Sequence, residues 1–332
     1  MKTEEIEDLF SAFNKLKIMV IGDVMIDSYM WGKVNRISPE APVPIVSIEK
    51  MENRLGGAAN VALNIQALGA TPLIYSVIGK EEKGAQFCEL LRAQSLSDVG
   101  IIQSTDRKTT VKTRVLSGSN QMLRVDEEIE TNLSKEDEAA LIASVSSALE
   151  NNQIDAIIFE DYDKGLITKG VIDAVIEKAA SLNIAVAVDP KKKNFNNYKN
   201  VSLFKPNLKE IREGMKIDIN QDNISEIEGA VDTLIQEKGH HLVLVTLSEL
   251  GVYVANCESN ETIPAHFRDI TDVSGAGDTV IGVASLCLAL KAPPRVMAEL
   301  SNLAGGIVCE KVGVVPIDKD QLLKEAKALL TG

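Results

Sequence analysis

Short apolar runs alternate with longer amphipathic stretches from about residue 55 to the end of the chain, and few folds accept that rhythm. A helix is expected over 58–68, a strand over 73–78 and a helix over 83–94. Helix 134–149 feeds strand 155–159, helix 168–181 feeds strand 185–188, and helix 223–237 feeds strand 242–246. A short strand lies in "VSLFKPN", a hairpin near 250–265, and helices near 276–290, 294–310 and 318–329. Ahead of this pattern, residues 4–16 read as a short amphipathic helix. "KIMVIGDVMID" then reads as a buried parallel strand with acids at its carboxyl end. Alternation of this kind buries its apolar faces in a mostly parallel sheet with helices on both sides, a three-layer α/β/α arrangement.

Two segments break the rhythm. Residues 28–50 hold three prolines and partly alternating apolar residues, which suggests short edge strands. Residues 99–103, 110–116 and 121–126 are extended pieces rich in Val, Ile and Thr. The two segments, 28–50 and 99–126, are expected to pair as a small β-sheet lid beside the main layer. No repeat, linker or low-complexity tract divides the sequence, so one domain over 1–332 is the simplest organisation.

With 45% hydrophobic residues the chain can bury a sizeable core. Its net charge of −13 argues against nucleic acid or an anionic membrane as partners, and a phosphorylated ligand would need a local basic pocket. Cys88, Cys257, Cys287 and Cys309 lie far apart without metal-ligand spacing, which suits a reducing, cytoplasmic compartment. The N-terminal residues carry charges and no apolar core, so they do not read as a secretory signal. The apolar run after Thr279 is too short to span a bilayer. With His240, His241 and His266 the only histidines, a histidine-rich metal site is excluded. A Walker A sequence, an intact G-x-G-x-x-G after the first strand and a G-x-S-x-G elbow are all missing.

Five short stretches carry candidate chemistry, and each has a plainer reading. In "DVSGAGDT", Gly275, Ala276 and Gly277 precede Asp278 at the start of a helix. Small residues let an anion approach the free N–H groups there, and an acid beside a phosphate makes sense if it takes a proton from an attacking hydroxyl. The plainer reading is an acid that stabilises a first turn. In "KPNLKEI", Asn207 and Glu210 form a capping box, or face a metal-bound phosphate. In "RLGGAANVALNIQALG", Gly56 and Gly57 permit close approach with Asn60 on the first turn, or they serve helix packing. In "GDVMID", Asp23 and Asp27 accept from sugar hydroxyls, or fix a turn. In "VTLSELGVYV", Thr246 and Ser248 donate to phosphate, or close a hairpin.

In their order along the chain these stretches resemble the ribokinase-like (PfkB) sugar kinases, over about residues 16–330. "RISPEAPVPIV", "LGGAANVALNIQALGA", "QMLRVDEE" and "DYDKGLIT" are similar, within that family, to the D-glycero-β-D-manno-heptose 7-phosphate kinases of lipopolysaccharide-core precursor synthesis. The resemblance implies an ATP- and Mg²⁺-dependent transfer to the C1 hydroxyl, giving the 1,7-bisphosphate. It implies that Asp278 is the base and that Gly275, Ala276 and Gly277 form the anion hole. It implies that Asn207 and Glu210 organise Mg²⁺ indirectly, that Thr246, Ser248 and Gly251 contact the nucleotide, and that Asn302 lies near the adenine. Asp23, Asp27, Gly56, Gly57 and Asn60 match sugar-contacting positions, and Asp272 with the Gly313 region matches a loop for a monovalent cation such as K⁺. Glu160 stands where relatives often carry Ser, which leaves the sugar pocket less defined.

Many such heptose kinases are fused to a nucleotidyltransferase bearing H-x-G-H, which this sequence lacks. The expectation is a stand-alone kinase, a homodimer through its lid, with a separate nucleotidyltransferase acting downstream. For the remote phosphate of the sugar the candidate cations are Lys112, Arg114, Arg124 and Lys164, with Lys191 to Lys193 as an alternative. The competing functions are a related kinase for ribose, fructose, a fructose phosphate or a nucleoside, a non-catalytic sugar-phosphate sensor, and a nicotinamide oxidoreductase. "RISPEAPVPIV" argues against the first, the intact "SGAGD" against the second and the absent fingerprint against the third.

Overall fold

A computed structural model describes residues 2–118, 120–221 and 223–330. In chain order its strands are β1 (Lys17–Gly22), β2 (Val24–Ile37), β3 (Pro44–Gly57), β4 (Thr71–Gly79), β5 (Ile101–Ser104), β6 (Thr110–Ser117) and β7 (Asn120–Glu127). They continue with β8 (Ala156–Glu160), β9 (Ala185–Asp189), β10 (Leu203–Phe204), β11 (Val243–Thr246), β12 (Val252–Ala255) and β13 (Asn260–Ile263). The helices are α1 (Thr3–Phe13), α2 (Ala58–Ala67), α3 (Glu82–Ala93), α4 (Lys135–Asn151), α5 (Lys169–Ser181), α6 (Leu208–Met215) and α7 (Ile224–Lys238). The last three are α8 (Ala276–Ala289), α9 (Pro294–Cys309) and α10 (Lys319–Leu330).

Nine strands form one sheet in the order β13-β12-β11-β10-β9-β8-β1-β4-β5, parallel except at the β11-β12-β13 end. The apolar strands are buried on both faces. One core packs Ile18, Val20 and Ile158 against α1, α2, α8 and α9, and the other packs Met19, Ile157 and Phe159 against α4, α5 and α7. From β1 the chain runs outward to β4 and β5, then crosses back to β8 and continues the other way. The β1/β8 boundary is therefore a topological switch point, where loops at the carboxyl ends diverge and leave a crevice. Gly22, Glu160 and Asp189 stand in register there, at the ends of β1, β8 and β9.

A second sheet, ordered β3-β2-β6-β7, stands beside the first. It differs from the expectation in two ways. The lid uses residues 24–57 and 110–127, and residues 101–104 instead pair with β4 at the edge of the main sheet. Residues 28–50 are not short edge strands. They belong to two 14-residue strands, of which β2 is interior to its sheet. Pro39 and Pro42 fall in the reversal between the strands and Pro44 is the first residue of β3, so no ladder N–H is lost inside either strand. The inward face carries Asp27, Tyr29, Lys112 and Arg114, while Ile48, Met51, Leu123 and Val125 are exposed. Among the described residues, no helix is long and apolar enough to cross a membrane.

His240 is a core residue. Its ring stacks on Phe204 at a centroid distance of 4.3 Å, and neither nitrogen has a hydrogen-bond partner among the described residues. Burial depresses its pKa to about 3. The unfolded chain protonates this residue below about 6.5 while the folded one does not, so it weakens stability as the pH falls from that value toward 3. His240→Leu is expected to raise stability by roughly 2 kcal/mol near pH 5, with the gain vanishing toward neutrality. Denaturant titrations across that range check this, and an unchanged pH dependence would contradict it.

Candidate active site

Some helices have side-chain caps at their N-termini and others, α8 among them, do not. Ser134 and Thr168 cap α4 and α5 by accepting from Asp137 N and Val171 N. At α8 the cap is Gly275, with φ +81° and no side-chain cap. A Cβ on that residue would stand 2.9 Å from Asn60 Nδ2, so both conformation and space call for glycine. The backbone ladder begins with Thr279 N donating to Gly275 O at 3.0 Å, so the N–H groups of Gly277 and Asp278 precede it. They open into a cleft of about 930 Å³.

Asp278 is buried at the foot of that cleft. Its Oδ2 accepts from Asn60 Nδ2 at 2.7 Å and its Oδ1 accepts from Tyr162 OH at 2.6 Å. Burial raises its pKa, and these two hydrogen bonds oppose the rise. Lys205 Nζ stands 2.8 Å from Asp189 Oδ2, both nearly inaccessible. Against burial, which disfavours its charge, Lys205 is raised by Asp189 and Glu210. Glu160 is fully buried with neither carboxyl oxygen bonded among the described residues. Burial first, then Asp189 and Asp278, pushes it well above the usual carboxylate range.

Along the cleft wall, Asn207 caps α6 and forms a reciprocal box with Glu210. Glu210 N donates to Asn207 Oδ1 at 2.8 Å, and Asn207 N donates to Glu210 Oε2 at 2.8 Å. The other Glu210 oxygen accepts from Lys191, so the capping box and a place in the polar cleft coexist. Thr246 forms a backbone bridge with Asn207. Ser248 and Gly251 follow on the same wall with φ +57° and +95°, and Asn302 lines the cleft while donating to Pro264 O at 2.8 Å. All the expected nucleotide positions thus share one cleft with Ala276, Gly277 and Asp278.

The expected sugar positions lie outside that cleft, with Asp27 on β2, Gly56 and Gly57 at the end of β3, and Asn60 on α2 donating to Asp278. Asp23 is tied to the loop after β8. Its carboxylate accepts from the N–H groups of Tyr162, Lys164 and Leu166 at 2.9, 3.2 and 3.2 Å, which is the turn-fixing alternative. Asp27 accepts from Arg114, and Gly56 leaves room for it, since a Cβ there would meet Asp27 Oδ2 at 2.0 Å. Gly57 starts α2. Arg124 is paired with Asp126 on an exposed stretch, and Lys164 with Glu128 and Glu130. Lys112 differs. It is half-buried 5.6 Å over the Tyr162 ring, and no carboxylate bonds it among the described residues. Lys193 donates to Asn132 Oδ1 at 2.6 Å. Asp272 accepts from Ser274 N at 2.9 Å and Gly313 N at 2.8 Å, which ties the two expected cation-loop segments together.

Sequence reasoning missed Tyr162, Asp189 and Lys205. All three lie at or just after the carboxyl end of a buried strand, in "FEDYDKG", "AVDPKKK" and "LFKPN", and that position is the available signal.

The profile of the pfkB family carbohydrate kinases matches residues 15–320. The chain is 36% identical over 324 residues to the bifunctional protein HldE of Desulfatibacillum aliphaticivorans, covering 97% of this chain and 65% of that protein. It is 39% identical over 303 residues to the bifunctional protein HldE of Caulobacter vibrioides, covering 91% and 62%. The chain therefore spans less than two thirds of the length of these relatives. Phosphofructokinase-2 of Escherichia coli, solved in complex with potassium, superposes with a TM-score of 0.79 at 19% identity, covering 96% of this chain and all of that one. At that identity the likeness concerns the fold, an α/β sheet with a smaller sheet beside it.

Lys205→Met leaves Asp189 buried with only Lys191 Nζ, at 3.7 Å, as a cationic partner, and is expected to cost about 3 kcal/mol of stability. The double variant with Asp189→Asn should recover most of it. Chemical denaturation of the two proteins checks this, and additive losses would contradict the pairing.

Proposed function

The chain belongs to the pfkB family of carbohydrate kinases, and on that premise we propose that it transfers the γ-phosphoryl group of ATP to the C1 hydroxyl of D-glycero-β-D-manno-heptose 7-phosphate. The products are the 1,7-bisphosphate and ADP. One observation carries the reading of the centre: a buried carboxylate, Asp278, held from two sides at the open N-terminus of α8. The choice of heptose phosphate rests on the resemblance of "RISPEAPVPIV", "QMLRVDEE" and "DYDKGLIT" to kinases of that substrate.

Asp278 takes the proton of the sugar hydroxyl as that oxygen bonds to phosphorus, and the bond from phosphorus to the β-phosphate oxygen breaks. The N–H groups at the start of α8 face the charge that develops on the transferring group. Gly277 lies over the Lys205–Asp189 pair, where a Cβ would stand 3.7 Å from Asp189 Oδ2 and 3.8 Å from Lys205 Nζ. Burial, Asp189 and Asp278 all disfavour the charged form of Glu160 beside them. The lid excludes water, which limits loss of ATP to hydrolysis.

A divalent cation fits only as part of the nucleotide. No cluster of three His, Cys, Asp or Glu side chains among the described residues is arranged to ligate a metal. Both Glu210 oxygens already accept hydrogen bonds, which suits a hold through water by Asn207 and Glu210. When bound, the cation neutralises the triphosphate. A potassium-type ion at the Asp272–Gly313 loop is supported by the bond between those residues and by the potassium complex of the neighbouring phosphofructokinase.

The acidic field of the protein opposes a dianionic sugar unless a cation stands ready. Arg114, Arg124 and Lys164 are each bonded to carboxylates, so Lys112 is the cation most available to the 7-phosphate. Burial already disfavours its charge, and an anion would relieve that penalty.

Asp278→Asn should lower kcat at least ~100-fold while ATP binding survives. Near-normal kcat in the folded variant would remove the base assignment. Lys112→Ala should lower kcat/KM for the heptose 7-phosphate by roughly 10-fold, the size of one hydrogen bond to a charged group, and leave ATP and unphosphorylated heptose little changed. Steady-state kinetics with both sugars check this. An unaltered preference for the phosphorylated sugar would place its phosphate elsewhere.

A further inference from the structure

We infer that Tyr162 is a positioning residue for phosphoryl transfer: its hydroxyl fixes the orientation of the Asp278 carboxylate and keeps that carboxylate ionised. The inference rests on the base role proposed for Asp278. It starts from a count of donors. Asp278 has two oxygens, and each meets one donor, Asn60 Nδ2 at 2.7 Å and Tyr162 OH at 2.6 Å. Rotation about the terminal torsion of an aspartate is broad and two-fold, so two donors on different elements are what selects one orientation.

Tyr162 is itself held at both ends. Its backbone N–H donates to Asp23 Oδ2 at 2.9 Å, which anchors the loop after β8. Two ammonium groups lie over its ring, Lys112 Nζ at 5.6 Å and Lys191 Nζ at 5.5 Å. One comes from the lid and the other from the segment after β9. Asp23 thus helps to hold Tyr162 in place.

The hydroxyl also has a fixed chemical sense. Burial and the neighbouring Asp278 raise the phenol well above its ordinary pKa, so it keeps its proton and serves Asp278 as a donor. A donor on a carboxylate favours the charged form and opposes its protonation. The other charged groups that act on Asp278 are Glu160 at the end of β8, Asp189 at the end of β9 and Lys205 after β10, while Lys191 after β9 and Lys112 on β6 face the Tyr162 ring. Asn60, from α2, is uncharged. Of these, Tyr162 alone touches the carboxylate with a titratable donor.

The test reads Asp278 directly and needs no substrate. The carboxyl ¹³C signal of Asp278, identified by its loss in Asp278→Asn, is followed through a pH titration of the full chain. In Tyr162→Phe its apparent pKa is expected to rise by roughly one unit, because the charged form loses a donor. Site-specific 3-fluorotyrosine at position 162 keeps the ring and supplies a more acidic, stronger donor, so it should move the pKa the other way. This second variant stands if the first fails to fold. With heptose 7-phosphate and ATP, Tyr162→Phe should lower kcat about 10-fold through lost orientation, with both KM values little changed. An Asp278 titration that neither variant moves overturns the inference and leaves the base role standing. A fully active Asp278→Asn overturns the base role, and the positioning role with it.

Discussion

Two hydrogen bonds to one carboxylate bring together three segments that lie far apart in the chain. Asn60 begins α2, Tyr162 follows β8, and Asp278 opens α8. The parallel order β8-β1-β4 makes the meeting possible, because it places the carboxyl ends of β1 and β8 side by side. The chain leaves that boundary in opposite directions, and the loops of the two halves share a crevice. Removing the carboxylate would leave the donors of Asn60 and Tyr162 facing each other without an acceptor. Much of the polar core near the switch point exists to hold this one group.

The charge balance around it is unusual for a buried region. Asp278, Asp189 and Glu160 crowd the ends of neighbouring strands, and Lys205 is the buried cation among them. Lys205 at 2.8 Å and Lys191 at 3.7 Å from Asp189 offset part of that negative charge. Burial, Asp189 and Asp278 push the Glu160 carboxyl well above its usual range, while Asp189 pairs with Lys205 and Asp278 with its two donors. Phosphoryl transfer requires this kind of frame, in which charge is placed before the substrate arrives and water is kept out.

Much of the architecture can be read from hydrophobic periodicity. The alternation after residue 55 gives the strands and helices of the main sheet within a few residues. The lid was harder, because prolines 39, 42 and 44 suggested interrupted edge strands when they mark a turn between two long ones. Asn207 and Glu210 show how a local motif can carry two meanings, a capping box and a polar wall facing Lys191. Asp23 shows the opposite. Its place at the end of β1 was legible, but the three N–H groups that occupy it come from residues 162–166, more than a hundred positions away. Tyr162, Asp189 and Lys205 escaped notice for the same reason. Sequence places them at strand ends, and only the register between strands shows which of them face each other.

The central claim is a specific phosphoryl transfer, and its product tests it most directly. The protein is incubated with ATP, Mg²⁺ and D-glycero-β-D-manno-heptose 7-phosphate, and the products are followed by phosphorus NMR and mass. The account predicts ADP together with a sugar carrying a second phosphate at C1, its resonance coupled to the anomeric proton. Turnover of a different sugar in a matched panel with none of the heptose phosphate, or ADP released without any phosphorylated sugar gained, would contradict it.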